Sequence, residues 1–319
     1  MRFGVGGKAR VARNRARGPA AAGVYICPPM HEQASEPSFL LMPALAVIGA
    51  VSALALGTSF AKSLFPLIGA QGTSALRVGL SALALLALWR PWRWPLARAD
   101  AGALLLYGLA LGGMNVMFYM ALRSIPFGVA VAIEFTGPLA VAMYYSRKRL
   151  DYLWIALVML GLGLLLPLGP AAGQGAQALD VAGCGWALGA AACWGAYIVF
   201  GKRAGHLHAG HSVSLGLLAA ALVAVPVGVA HAGAALLEPK VLLLGLGVAI
   251  VSSTIPMSLE MYALKRLPRQ TFGIMLSLEP VVAALAGMLV LGEVLTPTQW
   301  LAIGCVMAAS VGSIVSARQ

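Results

Sequence analysis

The sequence predicts an all-α integral membrane protein: ten transmembrane helices in two inverted five-helix repeats. Composition is the first ground. The chain is 60% hydrophobic and only 10% charged, with a mean hydropathy of +0.88, whereas a soluble globular protein carries about 25% charged residues. So much apolar surface has no soluble core to enter, and lipid is its solvent. The second ground is an internal echo. Ala121-Leu122-Arg123-Ser124-Ile125-Pro126 returns 142 residues later as Ala263-Leu264-Lys265-Arg266-Leu267-Pro268. Each run leads into an apolar stretch broken by a proline at the matching place, Pro138 and Pro280. The third is parity: with five spans per half, the second half enters the membrane inverted. Inverted repeats place a binding site near the bilayer midplane, where the halves meet and can rock.

Residues 1–40 read as a disordered basic cytoplasmic tail. Arg2, Lys8, Arg10, Arg13, Arg15 and Arg17 are followed by Gly, Ala and Pro without the apolar core of a secretory signal. Met30 and Met42 each stand ahead of a complete membrane domain, so an over-extended gene start is one reading of this tail.

A helix needs about 20 apolar residues to cross the hydrocarbon core. The first repeat, 41–169, supplies candidates at 43–64, 72–90, 101–122, 127–146 and 151–168. The second repeat, 180–316, supplies 181–201, 212–230, 241–264, 270–291 and 297–315. With the N-terminus inside, eighteen of the 22 Lys and Arg residues fall on the inner side. Arg123 and Lys240 fall outside, and Lys62 and Arg77 lie within spans. This bias predicts both termini on the cytoplasmic side of the membrane. It also accounts for the net charge of +12 without nucleic acid.

Cys27, Cys184, Cys193 and Cys305 form no CxxC pair, and three of them lie in apolar spans, which points to packing. His206, His208 and His211 share a basic loop with no acid or cysteine nearby, which reads as a solvated loop. No cofactor or metal is expected. The chain has no GxSxG, HExxH or P-loop, which argues against an enzyme and against an ATP-driven pump.

Charge within the spans carries the functional signal. Lys62, Arg77, Glu134, Glu260 and Glu279 each cost roughly 2.5–3.5 kcal/mol at a helix centre on insertion scales, so they point to a cavity or to one another. Lys62 and Glu260 lie near span ends, where snorkelling is the plain alternative; Glu134 and Glu279 lie deeper. The motifs Glu134-Phe135-Thr136-Gly137-Pro138 and Ser277-Leu278-Glu279-Pro280 join an acid, a hydroxyl and a proline. The proline frees a carbonyl one turn earlier; the plain alternative is a kink repaired by Thr136 or Ser277. Asn115 and Tyr119, four residues apart, share a helix face and suit either a small polar solute or interhelical hydrogen bonding.

Four strings now bear on kinship: Ala61-Lys62-Ser63-Leu64-Phe65-Pro66-Leu67, Leu111-Gly112-Gly113-Met114-Asn115, Glu134-Phe135-Thr136-Gly137-Pro138-Leu139-Ala140-Val141 and Ser258-Leu259-Glu260-Met261. Together and in order, from about residue 43 to 316, they resemble the EamA family of the drug/metabolite transporter superfamily. The resemblance implies a ten-helix fold of two repeats around a central cavity. It also implies export of small hydroxylated amino acids, threonine and homoserine, driven by protons. On that reading Glu134 takes the substrate ammonium and Arg77 or Lys62 its carboxylate. Asn115, Tyr119 and Thr136 meet a side-chain hydroxyl, and Glu279 or Glu134 carries the coupling proton. Other solutes (other amino acids, purines, sugars, cationic drugs) and, further off, lipid scrambling stay open, as do a monomer and a homodimer.

Overall fold

A computed structural model describes residues 37–93, 98–145, 149–165, 180–203, 209–264, 266–267 and 269–316. The expected tail, apart from residues 37–40, lies outside them, as do Arg147, Lys148, His206 and His208. The described residues are mostly helical and contain no strand. In order they form α1 (Pro37–Lys62), α2 (Phe65–Trp89), α3 (Arg98–Ala121), α4 (Phe127–Glu134), α5 (Thr136–Tyr145), α6 (Arg149–Leu165), α7 (Val181–Arg203) and α8 (Ala209–Ala232). Then come α9 (Pro239–Ala249), α10 (Ile255–Leu264), α11 (Arg269–Leu276), α12 (Glu279–Leu291) and α13 (Pro297–Ser316). A π-helical turn, Ile250–Thr254, joins α9 to α10.

Three pairs of these helices, α4–α5, α9–α10 and α11–α12, each make one span, so thirteen helices give ten crossings. Eight stretches are long and apolar enough to cross a membrane, and the shorter apolar helices Phe127–Val141 and Tyr152–Leu164 stand at the fourth and fifth places. Large side chains face outward along them, such as Leu289 at 84% exposure and Leu243 at 71%. Water would not tolerate such a surface, and lipid requires it.

Local chemistry sets the breaks. α4 ends at Glu134 because Pro138, in the first turn of α5, has no N–H with which to continue the helix. Pro280 likewise sits in the first turn of α12. α2 begins earlier than the predicted 72: Pro66 suits the first turn of a helix, and the chain kinks at Gly69 (φ 70°, ψ 174°) before it continues. A backbone at that angle belongs to glycine. α7 opens on Asp180, whose carboxylate accepts from Gly183 N–H (2.9 Å) and Ala182 N–H (3.3 Å). A hydrogen bond from Ser124, together with these backbone donors, holds the Asp180 carboxyl below the usual carboxylate range.

The halves pack by exchange. α2 lies on α8 and α6 on α13; α3–α7 answers α1–α10, and α3–α8 answers α2–α9. These principal contacts map onto one another when α1 is exchanged with α7, α2 with α8, α3 with α9–α10 and α6 with α13. One end of the bundle carries Lys62, Phe127 and Leu291, and the opposite end carries Trp89, Tyr145, Arg203 and Leu264. They are called the Lys62 end and the Arg203 end below. α1 reaches the π turn closely because residue 57 is glycine: a Cβ there would come within 2.7 Å of the Ser252 backbone nitrogen.

Candidate functional site

Where the halves meet, between the two ends, the helices enclose a cavity of about 240 Å³, smaller than the roughly 300–1,000 Å³ of sites for drug-sized ligands. Its lining draws on both halves. Arg77 comes from α2, Asn115 from α3, Glu134 from α4, Glu260 from α10 and Glu279 from α12, with Ser252 and Ser253 from the π turn. Among the described lining residues Arg77 is the one cation, against three carboxylates.

The two proline-broken spans bring their acids to matching depth. At about 1.5 Å of rise per residue, Glu134 lies eleven residues, or about 16 Å, from the end of its span at Tyr145. Glu279 lies ten residues, or about 15 Å, from Arg269 at the same end. Both carboxylates line the same cavity as Arg77. Glu134 is 6% exposed, and no described cation lies within ion-pair distance of it.

Arg77 is held from two sides. Its Nη1 donates to Tyr119 Oη (3.4 Å), its Nε to Ser253 Oγ (3.4 Å) and its Nη2 to the Ser252 carbonyl (3.2 Å). The guanidinium carbon also stands 5.6 Å from the centre of the Tyr119 ring, on which a cation is attracted. The π turn explains the Ser252 contact: widening the helix by one residue takes carbonyls out of the ordinary ladder and presents one to a side chain, and such turns recur at functional sites.

Comparison with known proteins agrees with this architecture. The model of the EamA-like transporter family matches residues 181–315. "Threonine/homoserine exporter RhtA" of Escherichia coli (strain K12) is 50% identical over 278 residues, which cover 87% of this chain and 93% of that protein. The chain belongs to the EamA-like transporter family. The protein of the same name from Salmonella typhimurium (strain LT2) is 49% identical over 278 residues, with the same coverage of both chains. An "Uncharacterized transporter" of Bacillus subtilis (strain 168), YwfM, is 27% identical over 252 residues, 75% of this chain and 81% of its own. A crystal structure 20% identical in sequence superposes with a TM-score of 0.50, covering 89% of this chain and all of that one; it supports the fold alone.

Within this EamA-like fold the expected site residues divide. Arg77, Asn115, Glu134 and Glu279 come together in the cavity. Asn115 commits its amide donor to its own helix, at Leu111 O (2.9 Å). Tyr119 is fully buried and stands behind Arg77, so it positions the guanidinium rather than facing the cavity. Lys62 and Thr136, like Tyr119, are not part of the cavity lining. Lys62 lies at the end of α1 and pairs with Glu293 (Nζ–Oε1 2.6 Å), away from the cavity lining. Thr136 donates to Ile133 O (2.6 Å) and faces a groove between α5 and α7. Its hydroxyl takes up a carbonyl left open at the buried end of α4, the kink repair that was the plain alternative. Ser277 does the same for α11 through Gly273 O (3.1 Å), and it also bonds Ser310 (2.7 Å).

Sequence reasoning did not single out Ser252, Ser253, Tyr197 or Glu293. The run Ser252-Ser253-Thr254, three hydroxyls ahead of Pro256 within an apolar span, was the available signal for the first two. Among the described residues no group of three or more His, Cys, Asp or Glu is arranged to hold a metal.

Proposed function

We propose that this chain is a secondary exporter of small neutral hydroxylated amino acids, threonine and homoserine foremost, working by proton antiport and alternating access. The observation that carries the reading is the opposition of Arg77 to Glu134 and Glu279 around one small cavity between the two halves. A zwitterion needs both signs of charge within one site. Arg77 receives the carboxylate, Glu134 the ammonium, and Asn115 and Ser253 offer polar atoms to a side-chain hydroxyl. The relatives named as threonine/homoserine exporters support the substrate class.

Coupling follows from competition. A proton on Glu134 or Glu279 removes the charge that an ammonium group needs, so proton and substrate occupy the site in alternation. The repeats span 41–169 and 180–316, the tail of 1–40 lies in the cytoplasm with the C-terminus, and the Arg203 end faces inward, as the basic loops suggest. Alternating access then requires the Lys62–Glu293 junction at the other end to part. This is transport rather than catalysis.

A cationic solute is the second reading, favoured by three carboxylates against one guanidinium. Purified protein in liposomes decides between them. Labelled threonine, homoserine, leucine, phenylalanine and lysine are each followed with and without a pH gradient. Preferential, gradient-dependent flux of threonine and homoserine is expected. A preference for lysine supports the second reading, and indifference to the gradient removes the antiport.

A further inference from the structure

The third carboxylate of the cavity has no place in the zwitterion scheme. Glu260 sits on α10, four residues or about 6 Å from the end of that helix at Leu264. By the same measure Glu134 and Glu279 lie about 10 Å and 9 Å deeper. All three line one continuous cavity. No described cation is within ion-pair distance of Glu260. A carboxylate in a membrane span is costly.

Its surroundings narrow the role. From α1 the cavity receives Leu54, Ala55 and Thr58, from α11 Leu276, and from the π turn Ser252 and Ser253, none of them charged. The other charged or titratable groups of the lining are Tyr197 on α7, Arg77 on α2, Glu134 on α4 and Glu279 on α12. Arg77 is engaged by Tyr119, Ser252 and Ser253. On its own helix Tyr262 is covered by the Arg266 guanidinium, 3.9 Å from the ring centre, and Arg266 bonds Tyr262 O at the exposed end. Glu260 thus has the acids Glu279 and Glu134 inward and the Arg203 end outward.

We infer that Glu260 is the carboxylate that passes the coupling proton between the deep pair Glu134/Glu279 and the compartment at the Arg203 end. The proton leaves the carboxyl O–H of Glu279, which becomes carboxylate, and binds a carboxylate oxygen of Glu260; Glu260 then gives it to water at the Arg203 end. No other bond changes. The inference rests on the proposed antiport, and its test separates the two.

The full chain is reconstituted as wild type, Glu260→Gln and Glu260→Asp, and two fluxes are measured. One is threonine–threonine exchange at equal pH, which needs no net proton transfer. The other is threonine flux driven by a pH gradient. Glu260→Gln is expected to exchange near the wild-type rate while its gradient-driven flux falls by about 100-fold, the scale for removing a proton-transfer group. Glu260→Asp, which keeps the acid, is expected to restore most of the driven flux. A Glu260→Gln protein with wild-type driven flux overturns the role. So does loss of exchange and driven flux together in both variants, which marks a substrate contact or a structural residue. A wild-type protein that exchanges threonine but ignores the gradient overturns the antiport itself, and the relay with it.

Discussion

Lys62 Nζ lies 2.6 Å from Glu293 Oε1, joining residues 231 positions apart, and the other Glu293 oxygen accepts the Phe127 N–H at 2.8 Å. One carboxylate thereby ties the end of α1 to the start of α4 and to the turn after α12. That turn is specific: Gly292 takes the left-handed conformation (φ 67°), and the Glu293 N–H caps the helix at Gly287 O (3.1 Å). Gly287 also leaves the room, since a Cβ there would come within 2.5 Å of Glu293 Oε2. The positive end of α4 adds to the attraction.

Removing Glu293 orphans two partners, whereas removing Lys62 orphans one. With side chains 23% and 14% exposed, the pair lies between exposed ion pairs, worth about 0–1 kcal/mol, and buried ones, whose disruption costs about 3–5 kcal/mol. Glu293→Ala is therefore expected to cost about 2 kcal/mol and Lys62→Ala less. Thermal unfolding of both variants in detergent checks the order; a larger loss in Lys62→Ala contradicts it.

The Asp180 cap predicts a pH dependence of stability. Hydrogen bonds from Ser124 and the α7 backbone depress its carboxyl in the folded protein. A depressed carboxylate contributes stability above its unfolded value, about 3.9, and loses it as pH falls through the lower folded value. Asp180→Asn should accordingly unfold at a lower temperature than wild type at pH 7, with the gap closing below about pH 4. A gap that is constant across this range shows that the charge is irrelevant to the cap.

Much of this architecture was legible in the sequence, and the exceptions share a cause. The span positions and the breaks at Pro138 and Pro280 follow from local hydropathy and from proline's missing donor, which need no tertiary information. The matching depth of Glu134 and Glu279 follows from those breaks. Thr136 falls outside the cavity lining because the interruption at Phe135 resets the helical phase. Each residue turns a helix by about 100°, so a break of one residue decides whether a hydroxyl faces the cavity or α7. The π turn likewise rotates α10, and with it Glu260, by an amount no hydropathy pattern reports. The partner of Lys62 was illegible because 231 residues separate it from Glu293 and only the packed halves bring them together.

The hold on Arg77 predicts an effect on substrate affinity. Tyr119→Phe keeps the ring under the guanidinium but removes one hydrogen bond, worth about 1 kcal/mol, so KM for threonine should rise about fivefold. Arg77→Lys should do worse, because an ammonium cannot reproduce a planar fork held at Tyr119, Ser252 and Ser253 together. Exchange kinetics at equal pH measure both, and an unchanged KM in Arg77→Lys removes Arg77 from substrate binding.

Glu134 carries the greatest weight, because the scheme asks it to meet the ammonium and to sense the proton. Glu134→Gln keeps the shape and part of the hydrogen bonding but neither balances a cation nor exchanges a proton. The direct test is threonine flux in liposomes containing correctly folded Glu134→Gln, with and without a pH gradient. Loss of both exchange and gradient-driven flux is predicted, unlike Glu260→Gln, which should lose only the second. Wild-type rates and wild-type pH dependence in Glu134→Gln would contradict the proposal that this carboxylate couples proton and substrate.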